Sequence, residues 1–272
     1  MASMQITSLQ NPRIKTVVKL RSRPHRDKLG LMIIEGYREI SRALANSHPV
    51  SDLFTCSECF QGKNNEALIQ RCIDAGAEHF TCSPDVFKKI AYRDRPDGLL
   101  ALGPHLSGSL ANLTPGSNAL IIVAESIEKP GNLGTILRSA DAAGADAVLV
   151  CDRCTDIHNP NVVRASIGTL FSLPVVETRS AEALEWLHLH HIQTVAATPH
   201  ATTCYADLDM TGPTALVLGT EQVGLSDTWL NATDHQVRIP MLGQSDSLNV
   251  AAATTILLYE ASRQRGFRTG VS

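Results

Sequence analysis

Three short stretches carry side chains whose types and spacing suit chemistry on a polar substrate. The first is KPGNLGTILRSADAAG, residues 129–144, which follows an apolar run and reads as a helix. Asn132 suits its N-cap, Leu133, Ile136, Leu137 and Ala140 form its buried stripe, and Gly144 is placed to end it. Gly134 and Arg138, four residues apart, share a helical face, and the bare glycine leaves room for the guanidinium to reach a phosphate or a polarised oxygen. As a dinucleotide-binding loop the stretch fails: it offers G-x-x-G where G-x-G-x-x-G is wanted, and Asp152 is a poor candidate for the acidic residue of the next strand. The second stretch is LVLGTEQVGLS, residues 216–226. Gly219 and Gly224 bracket Glu221 directly after a buried strand, at the end where α/β sheets hold ligands. A carboxylate there can orient an arginine; a plain turn with an exposed acid is the competing reading. The third is RIPMLGQSDSLNVA, residues 238–251. Asp246 or Ser247 suits the cap of the last helix. Asn249, buried in a small apolar helix start, needs partners that a ligand or an active-site arginine can supply.

The elements that must hold these stretches fall into two groups. Before residue 105 the chain alternates a basic helix (NPRIKTVVKLRS), a strand (GLMIIEG), a helix (YREISRALANS), and further strands at VSDLFTC, EHFTC and GLLALG with helices between them. That is the pattern of a small α/β domain. Residues 103–118, GPHLSGSLANLTPGSN, are rich in turn formers and read as a linker. Beyond it, ALIIVAE, AVLVC, LPVVET, QTVAATP, TALVLGT and QVRIPM are continuous apolar runs separated by helical patterns, which predicts a parallel sheet covered on both faces. The chain closes on a small-residue helix, SLNVAAATTILLYEASRQRG, which Gly266 can end.

Composition narrows the classes. The 272 residues are 43% hydrophobic and 19% charged, with a net charge of −3. No run approaches the roughly 18 apolar residues of a membrane span, and MASMQITSLQ lacks the apolar core of a signal peptide, so the expected location is cytoplasmic. The seven cysteines read as reduced thiols. Cys56/Cys59 and Cys151/Cys154 form two C-x-x-C pairs, but their separation favours small packed thiols over a zinc site. The histidines of HLHH, residues 188–191, read as a solvated helix, and no metal is expected. Charge is unevenly spread. Arg13, Lys15, Lys19, Arg21, Arg23, Arg26, Lys28 and Arg38 face only Asp27, Glu35 and Glu39 in the first 40 residues, either a footprint for nucleic-acid phosphates or a solvated face.

Taken in register, NLGTILRSADAAG, LVLGTEQVGLS and IPMLGQSDSLNVA resemble the SpoU (TrmH-like) branch of the SPOUT RNA 2′-O-ribose methyltransferases. NPNVVRASIGTLFSLPV, with Arg164, fits the same family, and ITSLQNPRIKTVVKLRSR with IIEGYREISRAL resembles its substrate-binding domain. The resemblance implies an RNA substrate-binding domain over residues 1–105, a linker over 106–118, and over 119–272 a methyltransferase domain whose chain is threaded into a trefoil knot, an exception to the rule that chains avoid knots. It implies S-adenosylmethionine held near Thr198, Gly219, Ile239, Met241 and Leu248, a homodimer through the C-terminal domain with a site drawing on both subunits, and structured RNA as substrate, ribosomal RNA before transfer RNA. Arg138 occupies the family's catalytic position. A guanidinium is essentially never deprotonated in proteins, which leaves two roles for it: stabilising the developing alkoxide, or gripping a neighbouring phosphate while water or phosphate accepts the proton. Asn132, Ser247 and Asn249 would position the ribose and the arginine, and Glu221 would anchor Arg138 or Arg164, within one subunit or across the dimer. Arg13, Lys15, Arg21, Arg23, Arg26 and Arg164 are the expected RNA contacts. Gln222 and Val223 stand where the family more often has a glycine, which tunes that loop to another neighbour. Two other classes compete: a ribosome-assembly protein that binds RNA without catalysis, and an oxidoreductase, which the missing glycine fingerprint disfavours.

Overall fold

The computed structural model describes residues 4–267, so the outermost ends of the expected domains, 1–105 and 119–272, lie outside the described residues. In chain order come β1 (Met4–Ile6), α1 (Pro12–Lys19), α2 (Arg23–Leu29), β2 (Leu31–Glu35), α3 (Tyr37–Ala45), β3 (Asp52–Thr55), α4 (Asn65–Asp74), β4 (Glu78–Cys82), α5 (Pro84–Ile90) and β5 (Leu99–Pro104). Then follow β6 (Leu120–Glu125), α6 (Pro130–Ala142), β7 (Ala147–Cys151), α7 (Pro160–Ala165), β8 (Val175–Thr178), α8 (Ser180–Leu189), β9 (Gln193–Ala197), β10 (Thr203–Cys204), β11 (Thr214–Leu218), α9 (Asp227–Leu230), β12 (His235–Arg238) and α10 (Val250–Gln264). They form two compact units. One runs through Leu106 and also takes in Asp156–Ser172; the other holds Ser107–Thr155 and the chain from Leu173 onward.

The first unit is built on a five-stranded sheet in the order β1-β4-β3-β5-β2. β1, β3 and β4 run parallel, while β5 is antiparallel to both β3 and β2. Ile14, Val17 and Leu20 from α1 and its C-cap join Phe54, Phe80, Phe87 and Leu100 in its core. The basic helix expected over residues 11–22 forms as α1 and ends at Lys19, and a second helix that the sequence reading did not separate follows it. Asn11 caps the first through its side chain, and Pro24 starts the second after a break, because a proline is tolerated only in a helix's opening turn.

Segment 156–172, read from sequence as part of the C-terminal domain, packs with the first unit instead. Arg26, 1% exposed, donates from Nε and Nη2 to Asp156 Oδ2 at 3.1 and 2.6 Å, and from Nη1 to the carbonyls of Leu20 and Arg21. Burial would raise the Asp156 carboxyl, but hydrogen bonds from His158 and Arg26 outweigh it and hold the group well below the usual carboxylate range. His158 stacks on His105 with ring centroids 3.8 Å apart, and its Nε2 accepts from the Leu106 amide at 3.0 Å. Arg42 donates to the Ile167 carbonyl. Gly168 lies so close to α3 that a Cβ would meet Glu39 Cα at 2.9 Å.

The second unit carries a seven-stranded, wholly parallel sheet in the order β10-β12-β9-β11-β6-β7-β8. β6, β7 and β11 are buried along their whole length, as expected of strands covered on both faces. The stretch read as a linker is anchored here: Leu110 and Leu113 pack on the sheet's core, and a Cβ on Gly108 would meet the Val175 carbonyl at 2.2 Å. Gly144 and Gly266 follow their helices with φ of 71° and 72°, the left-handed stop that glycine tolerates. No helix among the described residues is long and apolar enough to cross a membrane.

Candidate active site

Pro130 fixes the geometry at the start of α6. With Lys129 as N-cap and proline next, the helix begins earlier than the sequence pattern implies. Asn132 therefore stands inside the first turn rather than at the cap, and its side chain is free to point elsewhere. At the start of α10 the cap is Asn249, whose Oδ1 accepts from the amides of Ala251 and Ala252 at 3.1 and 3.4 Å. Ser247, expected to cap, lies exposed in the preceding loop, and Asn249 is exposed rather than buried.

These two amides converge on Glu221. Asn132 Nδ2 donates to Glu221 Oε1 at 2.8 Å and Asn249 Nδ2 donates to the same oxygen at 2.5 Å, while Asn249 Nδ2 also reaches Asn132 Oδ1 at 3.1 Å. Lys129 Nζ donates to Glu221 Oε2 at 2.6 Å. The Lys129 hydrogen bond, ahead of the Asn132 amide and the lysine's charge, keeps the Glu221 carboxyl below its ordinary range. The carboxylate thus stays ionised and both its oxygens are occupied. Lys129 was missed in the sequence, although its place directly before Pro130 made it the natural cap.

The loop carrying Glu221 is held at both ends. Thr220 and Gly224 exchange backbone hydrogen bonds at 3.1 Å, and the loop folds back so closely that a Cβ on Gly219 would meet the Gly224 carbonyl oxygen at 2.3 Å. At its far end, Ser226 donates from N and Oγ to buried Glu125 at 2.8 and 2.6 Å. Ser180 Oγ also donates to Glu125, at 3.1 Å, and accepts from Trp229 Nε1 at 2.8 Å. Glu125 ends β6 and is a positioning residue that the apolar run ALIIVAE concealed.

Beside this loop opens a largely apolar cleft of about 550 Å³. Thr198, Gly219, Ile239, Met241 and Leu248 all line it, together with Glu221 and Ser247. Residues drawn from three separated loops of the sequence therefore meet at one place. Arg138 does not join them. It is exposed on α6, and six residues past Asn132 it points about 240° around the helix; it makes no hydrogen bond or ion pair with the described residues. Glu221 consequently does not anchor Arg138 within the chain.

Residues 119–259, which contain the cleft and the Glu221 cluster, match the SpoU rRNA methylase family. The chain belongs to that family. Residues 11–101 match the MRM3-like substrate binding domain. The SpoU chain is 33% identical to a 23S rRNA (uridine(2479)-2′-O)-methyltransferase of Streptomyces viridochromogenes, over 90% of this chain and 87% of that one. A crystal structure described as an RNA 2′-O ribose methyltransferase is 43% identical, with a TM-score of 0.84 over 96% of this chain and 99% of the other. The SpoU methyltransferase AviRb of S. viridochromogenes, in complex with the cofactor AdoMet, is 33% identical, with a TM-score of 0.85 over 94% and 99% of the two chains.

The expected RNA contacts of this SpoU chain divide sharply. Arg13 is engaged by Asp52 and Glu78 at 2.8 and 2.7 Å and lies over the Phe80 ring. Arg21 donates to the carbonyls of Lys89 and Ala91. Arg26 is buried against Asp156 and offers nothing to a phosphate, which corrects its assignment as an RNA contact. Lys15 is exposed, as is Arg164 in the first unit, while Arg23 is half-buried and lies 3.5 Å from Asp27. Of the C-x-x-C cysteines, Cys56 and Cys151 are buried, and burial pushes the Cys59 thiol up to about 11. No group of three or more His, Cys, Asp or Glu suited to a metal occurs among the described residues.

Proposed function

We propose that this SpoU-family chain transfers a methyl group from S-adenosylmethionine to a ribose 2′-hydroxyl of ribosomal RNA. The observation that carries the reading is the Glu221–Asn132–Asn249 cluster at the edge of the apolar cleft. The cleft's size lies in the range of small-molecule sites. Its walls fit an adenosine with a thioether arm: Ile239, Met241 and Leu248 are apolar, and Gly219 lets the folded-back loop form one side. Thr198, Gly219, Ile239, Met241 and Leu248 would hold the cofactor, which supplies an activated sulfonium methyl, so that the chain's residues need only orient the 2′-hydroxyl and manage its proton. Asn132 and Asn249, fixed by ionised Glu221, would set the ribose, with Ser247 closing over it. Arg138 would stabilise the developing alkoxide or hold the adjacent phosphate, while water or phosphate accepts the proton.

Because Arg138 points away from its own chain's cluster, the reading includes a homodimer in which one subunit's Arg138 serves the other's cleft. Val223 and Leu242, 84% and 98% exposed near the cleft, support a covered surface there. The reading also includes a trefoil knot, supported by the meeting at one cleft of chain returns near 198, 219–224 and 239–248, and a cytoplasmic place of work.

The test is calorimetric titration with S-adenosylmethionine, then digestion and mass analysis of ribosomal RNA incubated with protein and cofactor. A 2′-O-methylated nucleoside is the expected product. Cofactor binding with methylation only on a base would refute ribose transfer, and neither binding nor methylation would favour an RNA-binding protein without catalysis. One variant probes the cleft itself. Gly219→Ala should weaken S-adenosylmethionine at least about tenfold, or 1.4 kcal/mol, with the circular dichroism spectrum unchanged, since the added carbon forces backbone against backbone. An unaltered Kd would remove this loop from the cofactor site.

A further inference from the structure

The first unit bears a groove of about 820 Å³ whose walls come from the start of α3, the loop before α4, the loop after α5, and α7. Four open cations line it, Arg38, Lys63, Arg95 and Arg164, against one exposed acid, Asp94. All four are exposed. Arg164 makes only a 3.3 Å contact to Asn161 Oδ1, and the other three form no hydrogen bond or ion pair with the described residues. A fifth cation, Arg93, is held by Glu39 and by the Glu35 carbonyl on the groove floor, and Asp97 accepts the Tyr37 amide on Oδ2 at 2.8 Å. The ring of Tyr37 is half-buried on the wall.

The contrast with the helices is informative. On α1 and α2 the arginines most prominent in the sequence are tied to acids or carbonyls, whereas the groove's cations are left open around a concave surface. The excursion of residues 156–172 into this unit is what brings Arg164 to the groove, beside Arg38 from the opposite end of the unit's sequence. We infer that this groove, rather than the basic face of α1 and α2, holds the phosphate backbone of an unpaired stretch of the RNA substrate. Unpaired RNA suits it because a concave basic surface with an aromatic wall can take phosphates and stack a splayed base, whereas a duplex keeps its bases stacked internally. The inference rests on the methyltransferase reading for the identity of the polymer.

The probe is an unmethylated, fluorescently labelled 23S rRNA transcript, titrated with full-length protein over a range of salt concentrations. Replacing Arg38, Lys63, Arg95 and Arg164 together by glutamine should raise Kd about 100-fold and flatten the dependence of log K on log salt by about 2 to 3, because each lost phosphate contact on a single strand removes roughly 0.7 from the slope. Denaturant unfolding of each variant serves as the control for folding of the first unit. A second variant, with Lys15, Lys19 and Arg23 replaced by glutamine, should change Kd less than about threefold. If the helix variant loses affinity and the groove variant keeps it, the groove assignment is overturned while the methyltransferase reading stands. Wild-type protein that takes no ribosomal RNA overturns both. Equal losses in the two variants also overturn the inference, since binding would then follow total charge and not this groove.

Discussion

Arg138→Ala should lower kcat for methyl transfer by about 10³-fold, the effect of removing one preorganised group that meets developing charge, and leave S-adenosylmethionine affinity within about twofold. The cofactor cleft is lined without Arg138, and the side chain is exposed and has no partner among the described residues, so its loss costs neither the cleft nor the fold. Single-turnover methylation beside calorimetric titration separates the two quantities. Wild-type turnover in the variant would remove Arg138 from the mechanism. Arg138→Lys distinguishes its two possible roles: a point charge keeps part of an alkoxide's stabilisation but loses a two-pronged grip on phosphate. Mixing Arg138→Ala with Glu221→Ala protein tests the shared site. If each cleft uses the other subunit's arginine, mixed dimers regain roughly a quarter of wild-type activity, because half of all dimers are mixed and each has one intact site. No recovery would mean that each subunit works alone.

Arg26→Ala should destabilise the first unit by about 3–5 kcal/mol, the usual consequence of stranding one partner of a buried ion pair. Both partners are nearly inaccessible, at 2% and 4% side-chain exposure, and the change also orphans the carbonyls of Leu20 and Arg21. The pair has a pH signature. Asp156 is depressed in the folded state, so its contribution is complete above the ordinary aspartate pKa near about 4 and fades as pH falls toward the folded value. Wild-type protein should therefore lose stability on acidification more steeply than the variant. Denaturant unfolding at neutral and acid pH measures both effects, and replacing Arg26 and Asp156 together by apolar residues should recover part of the loss. A cost under about 1 kcal/mol with an unchanged acid limb would show the pair to be incidental.

The parallel sheet of the second unit was legible because its strands are buried on both faces and read as unbroken Val, Ile and Leu runs. β1 and β10 escaped notice: they are short edge strands with too few residues to establish a period. Gly219 and Glu221 stood out as a glycine loop after a buried strand, but Thr198, Ile239, Met241 and Leu248 could be named only through the family resemblance, since nothing local in Thr198 or Met241 announces a ligand. Asn132 was read as a cap because its residue type favours one, yet Pro130 had already set the start of the helix. Arg26 shows the limit most plainly. Its sequence neighbours report a basic segment, but the acid that buries it lies 130 residues away. Lys63, Arg95 and the groove they share were invisible for the same reason, since concavity arises from loops that only the sheet brings together.

The placement of residues 156–172 in the first unit also orders events during synthesis. A chain emerging from the ribosome has made all five strands of that unit's sheet by Leu106, but neither Asp156 nor α7 yet exists. At about 5–20 residues per second, Arg26 waits roughly 6 to 26 seconds for the carboxylate that neutralises it, 130 residues on. The amino-terminal unit therefore cannot mature before β6, α6 and β7 have been translated, and a fragment cut after Leu106 would retain the sheet while lacking its electrostatic keystone.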